Sequence, residues 1–463
     1  MPSITATPPA TDAAEPGDER RLGARLRALI VHLGELFQAG EPGRVTPAKV
    51  GLAVVAVAVG TVVSLLRQPG YLATDTIWAE DGRIFLADAV NLPFLEALVT
   101  SYNGYYQAIP RLLVEPAQFL PASWAAGYLA VVSALAVSLF GLLVYVASGA
   151  YIRPVIGRLA VSAVAVVVPI AQDDLPNSVC NVHWAGLYAL FWVLLWVPRS
   201  RTGQGVALVS TLLVAATNIC AVVFLPLALA RVLGRRDRLA WWLAGLLTLG
   251  TVAHLLGLLF GGSSRDTHPD PINAVRYLFT RVIPGNLAGE RWFGPVGDTG
   301  SWRWPMIIAA YALVGGAVWV AWKKITRPNW RLAVLGFGHA GMFWVVSAGA
   351  TGLTATRYGT TTGMLLVTGL VALLLPGRER VDVPLARQRV GQWALTGFAV
   401  FLAVICAVNL RLDNRRADGP AWPDEIARVQ AECARDGVTS DRLQLTPGDP
   451  EWQVSLPCSY LTR

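Results

Sequence analysis

The chain has 463 residues, of which 54% are hydrophobic and 15% are charged, and its mean hydropathy is +0.48. Because a soluble globular domain carries about a quarter charged residues, this composition argues against a water-soluble protein and predicts a polytopic membrane protein. The formal net charge of +8 is compatible with nucleic-acid binding. However, much of the positive charge lies in predicted loops between membrane spans, where it sets the membrane topology. No nucleic-acid partner is therefore expected.

Two segments precede the predicted membrane bundle. Residues 1–18 are rich in proline, alanine, threonine and acidic residues, a composition typical of disorder. Residues 19–47 begin with arginines among regularly spaced leucines, which predicts a basic amphipathic helix on the inner membrane surface. The start lacks the pattern of a cleavable signal peptide, so we expect the first spanning helix to act as the targeting signal.

Long, nearly uncharged segments predict an all-α bundle over residues 48–410. Segments of about 17–25 apolar residues can cross a bilayer as helices, which satisfy their own backbone groups. We predict about eleven spans, near residues 50–67, 124–148, 155–171, 184–198, 204–218, 219–233, 239–260, 304–322, 332–348, 360–376 and 391–410. The pair within 204–233 could also be one long helix or a re-entrant hairpin.

Five basic clusters predict the orientation, because arginine and lysine concentrate in cytoplasmic loops. They are Arg153/Arg158, Arg199/Arg201, Arg231/Arg235/Arg236/Arg238, Lys323/Lys324/Arg327/Arg331 and Arg378/Arg380/Arg387/Arg389. All five face the cytoplasm only if the chain reverses between residues 204 and 233. The N-terminus is then inside and the C-terminus outside. The composition, rich in arginine and poor in lysine, favours a bacterial cytoplasmic membrane.

The predicted outer segments carry the polar motifs. They comprise residues 68–123, 172–183, 261–303, 349–359 and 411–463. The inner loops are too short for a nucleotide-binding domain, and no G-x-x-x-x-G-K-[ST] phosphate loop is present. We therefore expect a substrate that is available outside the membrane, bound in one cleft where the outer loops meet.

Adjacent carboxylates, Glu80 and Asp81, follow the first span. A partly desolvated carboxylate at the mouth of a bundle can act as a general base, although a solvated acidic loop is the alternative. Residues 83–98 then predict an amphipathic helix on the membrane interface. Its apolar face would contain Phe85, Leu86, Ala89, Val90, Phe94 and Leu98.

An aromatic and amide-rich stretch completes the first outer loop. Tyr102, Tyr105 and Gln107 suit sugar recognition, because aromatic rings stack on sugar faces and amides bond to hydroxyls. The alternative is an interfacial aromatic belt. Arg111 follows, and could stay in water or pair with an anion.

The second outer loop is strongly polar. Its candidate substrate-binding residues are Asp173, Asp174, Asn181, His183 and Trp184. His183 is more consistent with hydrogen bonding than with metal ligation, because no second histidine lies nearby. The sequence indicates no definite cofactor and leaves a divalent metal ion open.

The last outer segments add a cation and a pair of cysteines. Arg357 and Tyr358 could bind a lipid head group or a substrate phosphate. Residues 411–463 predict a small outer segment with a short helix and strands. A disulfide between Cys433 and Cys458 is permitted outside the membrane and would stabilise by about 3 kcal/mol; two free thiols are the alternative.

This combination of outer-loop motifs on a bundle of about eleven helices resembles the GT-C superfamily of membrane glycosyltransferases. The resemblance covers residues 48–410 and implies a polyprenyl-phosphate sugar donor. It also implies that Glu80 or Asp81 is the base, that Asp173 and Asp174 form the second acidic site, and that Arg357 contacts the lipid phosphate. The Glu-Asp-Gly sequence departs from the commoner acidic motifs of that superfamily.

The expected activity is the inverting transfer of a monosaccharide to a cell-envelope glycan, lipid or protein acceptor at the outer membrane face. The alternatives are a secondary transporter or lipid flippase, and a non-catalytic scaffold. Transporters usually place ionisable residues at mid-membrane. Here His254 and His339 are the only such candidates in the predicted spans, and they are more typical of hydrogen-bonded packing.

Overall fold

The computed structural model describes residues 28, 30–40, 45–170, 175–261, 268–293, 303–352, 355–376 and 385–463. The protein is mostly helical. The α-helices are α1 Pro47–Leu66, α2 Ala87–Asn91, α3 Phe94–Val99, α4 Ala108–Val114, α5 Ala125–Ser148, α6 Val155–Val167, α7 His183–Leu195, α8 Arg201–Ala215, α9 Leu225–Arg235, α10 Arg238–Gly261, α11 Pro271–Tyr277, α12 Ile283–Ala288, α13 Arg303–Trp322, α14 Trp330–Trp344, α15 Gly359–Leu373, α16 Leu385–Val408, α17 Trp422–Cys433 and α18 Cys458–Leu461. The strands are β1 Gln38–Ala39, β2 Trp196–Val197, β3 Ser440–Gln444 and β4 Gln453–Pro457.

Six helical segments within the described residues are long and apolar enough to cross a bilayer. They are Pro47–Leu66, Ala122–Ser148, Arg238–Phe260, Arg303–Trp322, Trp330–Gly349 and Arg389–Val408. These segments support the prediction of an all-α membrane protein. The other predicted spans correspond to shorter helices, two of which, α6 and α7, are apolar. The total of about eleven spans therefore stays a prediction.

The two ends of the bundle differ in chemistry. One end, called here the basic end, contains the described residues of the five predicted cytoplasmic clusters. There Arg231 Nη1 donates to three carbonyl oxygens at the end of α7, those of Val193, Leu194 and Trp196, at 2.7–3.0 Å. The connection after α13 joins the end of α15, where Arg327 N donates to Leu375 O at 2.8 Å. The opposite end, called the loop end, contains the described parts of the predicted outer segments.

The chain reverses direction between α8 and α9, near Asn218. The Asn218 side chain accepts a hydrogen bond from Cys220 N at 2.8 Å and starts a 3₁₀ turn, Ile219–Phe224. Just before it, the Thr217 hydroxyl accepts a hydrogen bond from Ile109 N at the loop end, at 3.0 Å. Because Arg231 lies at the basic end, residues 201–235 form a hairpin that starts and finishes there. This is the reversal that the basic clusters require.

Two short helices form the centre of the bundle. All residues of α7 and α15 are buried. The partner of α15 is α14, and their backbones approach closely at glycine: a Cβ on Gly336 would lie 2.9 Å from Gly369 N. Small residues allow such close packing between membrane helices. The centre is therefore protein-filled and is surrounded by the longer, lipid-exposed helices.

The N-terminal segment packs against the basic end. Residues 30–34 are helical, Phe37 is buried, and β1 pairs in parallel with β2. The surface helix predicted over residues 19–47 is not formed at residues 35–40, where Gln38 N donates to the Tyr151 hydroxyl at 3.0 Å and the chain becomes extended. Residues 1–27 lie outside the described part of the chain. A two-residue strand between such short segments leaves no periodic signal in sequence.

The first outer loop only partly follows the predicted interfacial helix. Asp81–Leu86 is π-helical and continues into α2, and Pro93 then separates α2 from α3, because proline disfavours helix in the preceding residue. Phe85, Leu86 and Ala89 were expected on the membrane interface but are buried in protein. Phe94 is exposed, as expected. Leu95 and Val99 on the same short helix are also exposed, as are Phe119 and Trp124 further along the chain.

The C-terminal segment shares a core with the first outer loop. Strands β3 and β4 are antiparallel, and their buried residues Leu443, Val454 and Leu456 follow the predicted alternation. The predicted disulfide joins Cys433 to Cys458, with 5.6 Å between their Cα atoms. One continuous cluster contains residues from both segments: Ile77, Phe85, Leu86, Ala89, Val114, Ala117, Trp422, Ile426, Val429, Leu443, Leu445, Val454, Leu456 and Tyr460. Residues 411–463 therefore pack as part of the loop end.

Candidate functional site

Asp81 joins the first outer loop to the second. Its carboxylate accepts hydrogen bonds from Ser178 Oγ at 3.1 Å, Val179 N at 3.0 Å and Cys180 N at 2.9 Å. The residue is only 1% exposed. Both carboxylate oxygens are thus occupied by donors of the second loop. Asp81 holds the loops together and is poorly placed to receive a proton from a bound substrate.

Arg416, from the C-terminal segment, lies in the same buried junction. Its guanidinium donates to Thr76 Oγ1 at 2.8 Å and to the carbonyl oxygens of Ala73, Thr76, Pro176 and Asn177 at 2.9–3.1 Å. Planar arginine is well suited to such multiple recognition. The side chain therefore connects three segments that are far apart in sequence.

Burial shifts the protonation of this buried pair. Desolvation raises the pKa of Asp81 from 3.8 to about 7, against the opposing effects of the Cys180 hydrogen bond and the Arg416 charge. Burial likewise lowers the pKa of Arg416 to about 10, while Asp81 opposes that change. Neutral Asp81 is thus accessible near physiological pH, whereas Arg416 stays charged.

Glu80 precedes Asp81 and is half-buried. The backbone before it is fixed by the C-terminal segment, since Ala79 N donates to Thr446 O at 2.8 Å and Thr446 N donates to Ile77 O at 3.0 Å. Packing explains the glycine of the Glu-Asp-Gly motif, because a Cβ on Gly82 would lie 2.6 Å from Leu445 Cδ2. The position of this glycine thus coincides with a contact to the C-terminal segment.

A hydrogen-bonded chain extends from Asp81 to Trp184. Asn181 Nδ2 donates to Ser178 Oγ at 3.2 Å, and Trp184 Nε1 donates to Asn181 Oδ1 at 3.1 Å. The Trp184 ring lies 4.4 Å from that of His183, between centroids. The structure therefore places three of the predicted second-loop residues next to the first-loop acid. Asp173 and Asp174 lie outside the described residues.

Residues of the fourth outer loop and of the start of α15 contact Trp184. The Tyr358 ring stands edge-on to Trp184, with 5.4 Å between centroids, and the Arg357 guanidinium lies 5.5 Å from the Tyr358 ring centre. Thr361, at the start of α15, donates from Oγ1 to Trp184 O at 2.9 Å. First, second and fourth outer loops are thus connected through direct contacts, and Arg357 is half-buried beside them.

The aromatic stretch of the first loop forms a tight hairpin. Tyr102 and Tyr105 exchange backbone hydrogen bonds around Asn103 and Gly104, whose φ angles are both positive. Asn-Gly is the preferred sequence for such a type I′ turn, a signal that the sugar-recognition hypothesis overlooked. Tyr106 N donates to His254 Nδ1 at 3.2 Å, and His254 Nε2 lies 2.9 Å from Ala215 O.

Gln107 and Arg111 lie beyond this hairpin and are buried. Arg111 Nη1 forms an ion pair with Asp88 Oδ2 at 2.8 Å, and its guanidinium lies 5.6 Å from the centre of the Phe85 ring. The Phe85 ring also stands edge-on to Tyr102, 6.3 Å between centroids. Tyr102 and Arg111 therefore both contact Phe85 on the Asp81–Leu86 helix.

Within the part of the chain that the structure describes, no group of three or more His, Cys, Asp or Glu residues could hold a metal ion.

Two residues of this site, Arg416 and Ser178, were not predicted from the sequence. Arg416 lies in an arginine-rich polar stretch, and nothing there distinguishes a buried arginine from a solvated one.

Comparison with known proteins adds no assignment. The chain matches no protein-family model, and neither curated proteins nor solved structures give a significant match.

Proposed function

We propose that the protein is a membrane glycosyltransferase that takes a monosaccharide from a polyprenyl-phosphate donor, with Glu80 as general base. The observation that carries this assignment is the difference between the adjacent carboxylates. Asp81 is only 1% exposed, whereas Glu80 is half-buried at the loop end. Asp81 then acts as a positioning residue that fixes the turn carrying Glu80.

The reaction requires one base and one cation. An acceptor hydroxyl attacks the anomeric carbon, its proton passes to the Glu80 carboxylate, and the new glycosidic bond forms as the bond to the phosphate oxygen breaks. The lipid phosphate leaves with the bonding electrons as a stable anion. Arg357, half-buried beside Tyr358, would stabilise that anion through charge-assisted hydrogen bonds. Displacement from the opposite face inverts the anomeric centre.

The surface of the first outer loop supports a substrate held in lipid. Apolar side chains of α3 and of the region before α5 are exposed, including Leu95, Phe119 and Trp124. Apolar and aromatic residues in such positions suit the boundary between head groups and acyl chains. A donor with a polyprenyl tail in the outer leaflet could approach Glu80 along this boundary. We propose the bacterial cytoplasmic membrane, with the basic end inside and the C-terminus outside.

The proposal is tested in membranes containing the protein, supplied with a panel of polyprenyl-phosphate hexoses and pentoses and native cell-envelope acceptors. Glu80→Gln should reduce transfer by about 10²–10⁴-fold while the melting temperature stays unchanged. Glu96→Gln, which alters an exposed carboxylate of the same loop, is the matched control and should transfer normally.

Full transfer by Glu80→Gln would reject Glu80 as the base. A flippase, the alternative function, predicts a different result: the wild-type protein would move labelled lipid-linked sugar between leaflets of a vesicle without forming product. Measuring flipping and transfer in the same vesicles separates the two functions.

A further inference from the structure

Arg111 is a buried arginine with only part of its hydrogen-bonding capacity used. The residue is 4% exposed, and Nη1 is occupied by Asp88 at 2.8 Å. Its Nε and Nη2 atoms are buried and have no hydrogen-bond partner within the described part of the chain. Leaving charged donors buried and unpartnered is costly. The Nε–Nη2 edge is the pair of donors that binds a carboxylate or phosphate in a two-pronged manner.

Gln107 provides the complementary group one helical turn away. Gln107 immediately precedes α4, and Arg111 N donates to Gln107 O at 3.2 Å, so the backbone places the two residues one turn apart. Gln107 is 1% exposed, and among the described residues its Oε1 atom has no donor. Two unused donors and one unused acceptor therefore belong to residues one turn apart at the start of α4. A ligand with an anionic group beside a hydroxyl would satisfy all three.

The two N–H donors without partners favour an anion or another acceptor over a second positive group. Asp88 occupies the other side of the guanidinium, and the Phe85 ring lies 5.6 Å from its centre. Aromatic and apolar surroundings strengthen a charge-assisted hydrogen bond by reducing the local dielectric. The half-exposed Tyr102 ring contacts Phe85 from the hairpin side and offers a face for a sugar ring or a similar apolar surface.

We propose that Arg111 and Gln107 form an anion-binding subsite for a hydroxyl-bearing phosphate or carboxylate. This inference rests on the proposed function for its biological meaning. Arg357 contacts the Trp184–Tyr358 group, whereas Arg111 contacts Phe85 and Asp88. With the lipid phosphate of the donor assigned to Arg357, the Arg111 subsite binds an acidic group of the acceptor. The acceptor is then an anionic glycan.

Binding is measured on the full-length purified protein in nanodiscs, without donor lipid, so that a failure of glycosyl transfer does not affect the result. The probes are sn-glycerol 3-phosphate and gluconate, which carry an anion beside hydroxyls; sulfate, which has no hydroxyl; and neutral glycerol. We expect the first two to bind and glycerol not to bind. Sulfate should bind more weakly than glycerol 3-phosphate.

Three variants test the geometry. Arg111→Lys can keep the ion pair with Asp88 but cannot present two parallel donors, and should weaken glycerol 3-phosphate by about 10- to 100-fold. Gln107→Met should weaken glycerol 3-phosphate by about threefold to tenfold and leave sulfate unchanged. Arg83→Met, which removes an exposed positive charge from the same loop, is the control and should bind all probes like the wild type.

Nanodiscs with and without phosphatidylglycerol distinguish a lipid head group from a soluble anion. If a head-group phosphate occupies the subsite, soluble probes will bind only in discs without the anionic lipid, and the acceptor assignment is overturned. Equal binding of the probes to the wild type and to Arg111→Lys, with both proteins folded, would overturn the subsite itself. Binding that is lost in Arg357→Gln and retained in Arg111→Lys would move the anion site to the fourth outer loop.

Discussion

Replacing Asp81 by asparagine should remove a specific pH dependence from the stability of the protein. Burial raises the pKa of Asp81 from 3.8 to about 7, so the folded protein holds this proton at pH values where the unfolded chain has lost it. The resulting stabilisation is complete below the unfolded pKa and is lost as the pH rises to about 7. Asparagine does not titrate and contributes no such change.

The size of this stability change follows from the pKa shift of Asp81. Each pKa unit is worth about 1.4 kcal/mol, which gives roughly 3 kcal/mol of lost stability in the wild type between about pH 4.5 and about pH 8. Unfolding entropy scales with chain length, and for a chain of this size about 1 kcal/mol changes the melting temperature by about 1 °C. The melting temperature of the wild type minus that of Asp81→Asn should therefore fall by about 3 °C over this range.

The assay is thermal unfolding of both proteins in one detergent, monitored by tryptophan fluorescence at a series of pH values. Taking the difference removes the pH dependence of every carboxylate that the two proteins share. A difference for Asp81→Asn that stays constant, or that increases with pH, would refute the idea that Asp81 retains its proton because it is buried.

Three further predictions concern the loop end. Gly82→Val should destabilise the protein by about 1–3 kcal/mol through overpacking, and Leu445→Ala in the same chain should restore part of the loss; an unaltered melting temperature for Gly82→Val would contradict the contact. Replacing both Cys433 and Cys458 by serine should cost about 3 kcal/mol, and a reductant should lower the melting temperature of the wild type but not that of the double variant. A reporter that is active only in the cytoplasm should give no signal when fused after Arg463, and a strong signal would reverse the proposed orientation.

Charge and cysteine patterns predicted two particular features of the fold, a chain reversal and a disulfide. The basic clusters required a reversal between residues 204 and 233, and the chain reverses at Asn218. The pair Cys433–Cys458 is bonded, and β3 and β4 show the expected alternation. These features are set by local composition or by simple topology, and both can be read from a single sequence.

The placement of individual residues was predicted less well. Apolar periodicity placed Phe85 and Leu86 on the membrane, yet they face a core shared with the C-terminal segment. Periodicity identifies an apolar face but does not say whether lipid or protein covers it. Arg416 was missed for a related reason: its partners are backbone carbonyls more than 230 residues away in sequence, and a carbonyl has no residue-type signature.

The contacts of the C-terminal segment have a consequence for biosynthesis. A chain is synthesised from its N-terminus, so the first outer loop is made long before residues 416–446 are translated. Until then Thr76 and Asp81 lack the Arg416 side chain, and Ile77 and Ala79 lack their backbone partner Thr446. The turn that carries Glu80 is therefore assembled last. Incomplete translation products would insert into the membrane with this turn unsupported, which confines a finished loop end to full-length chains.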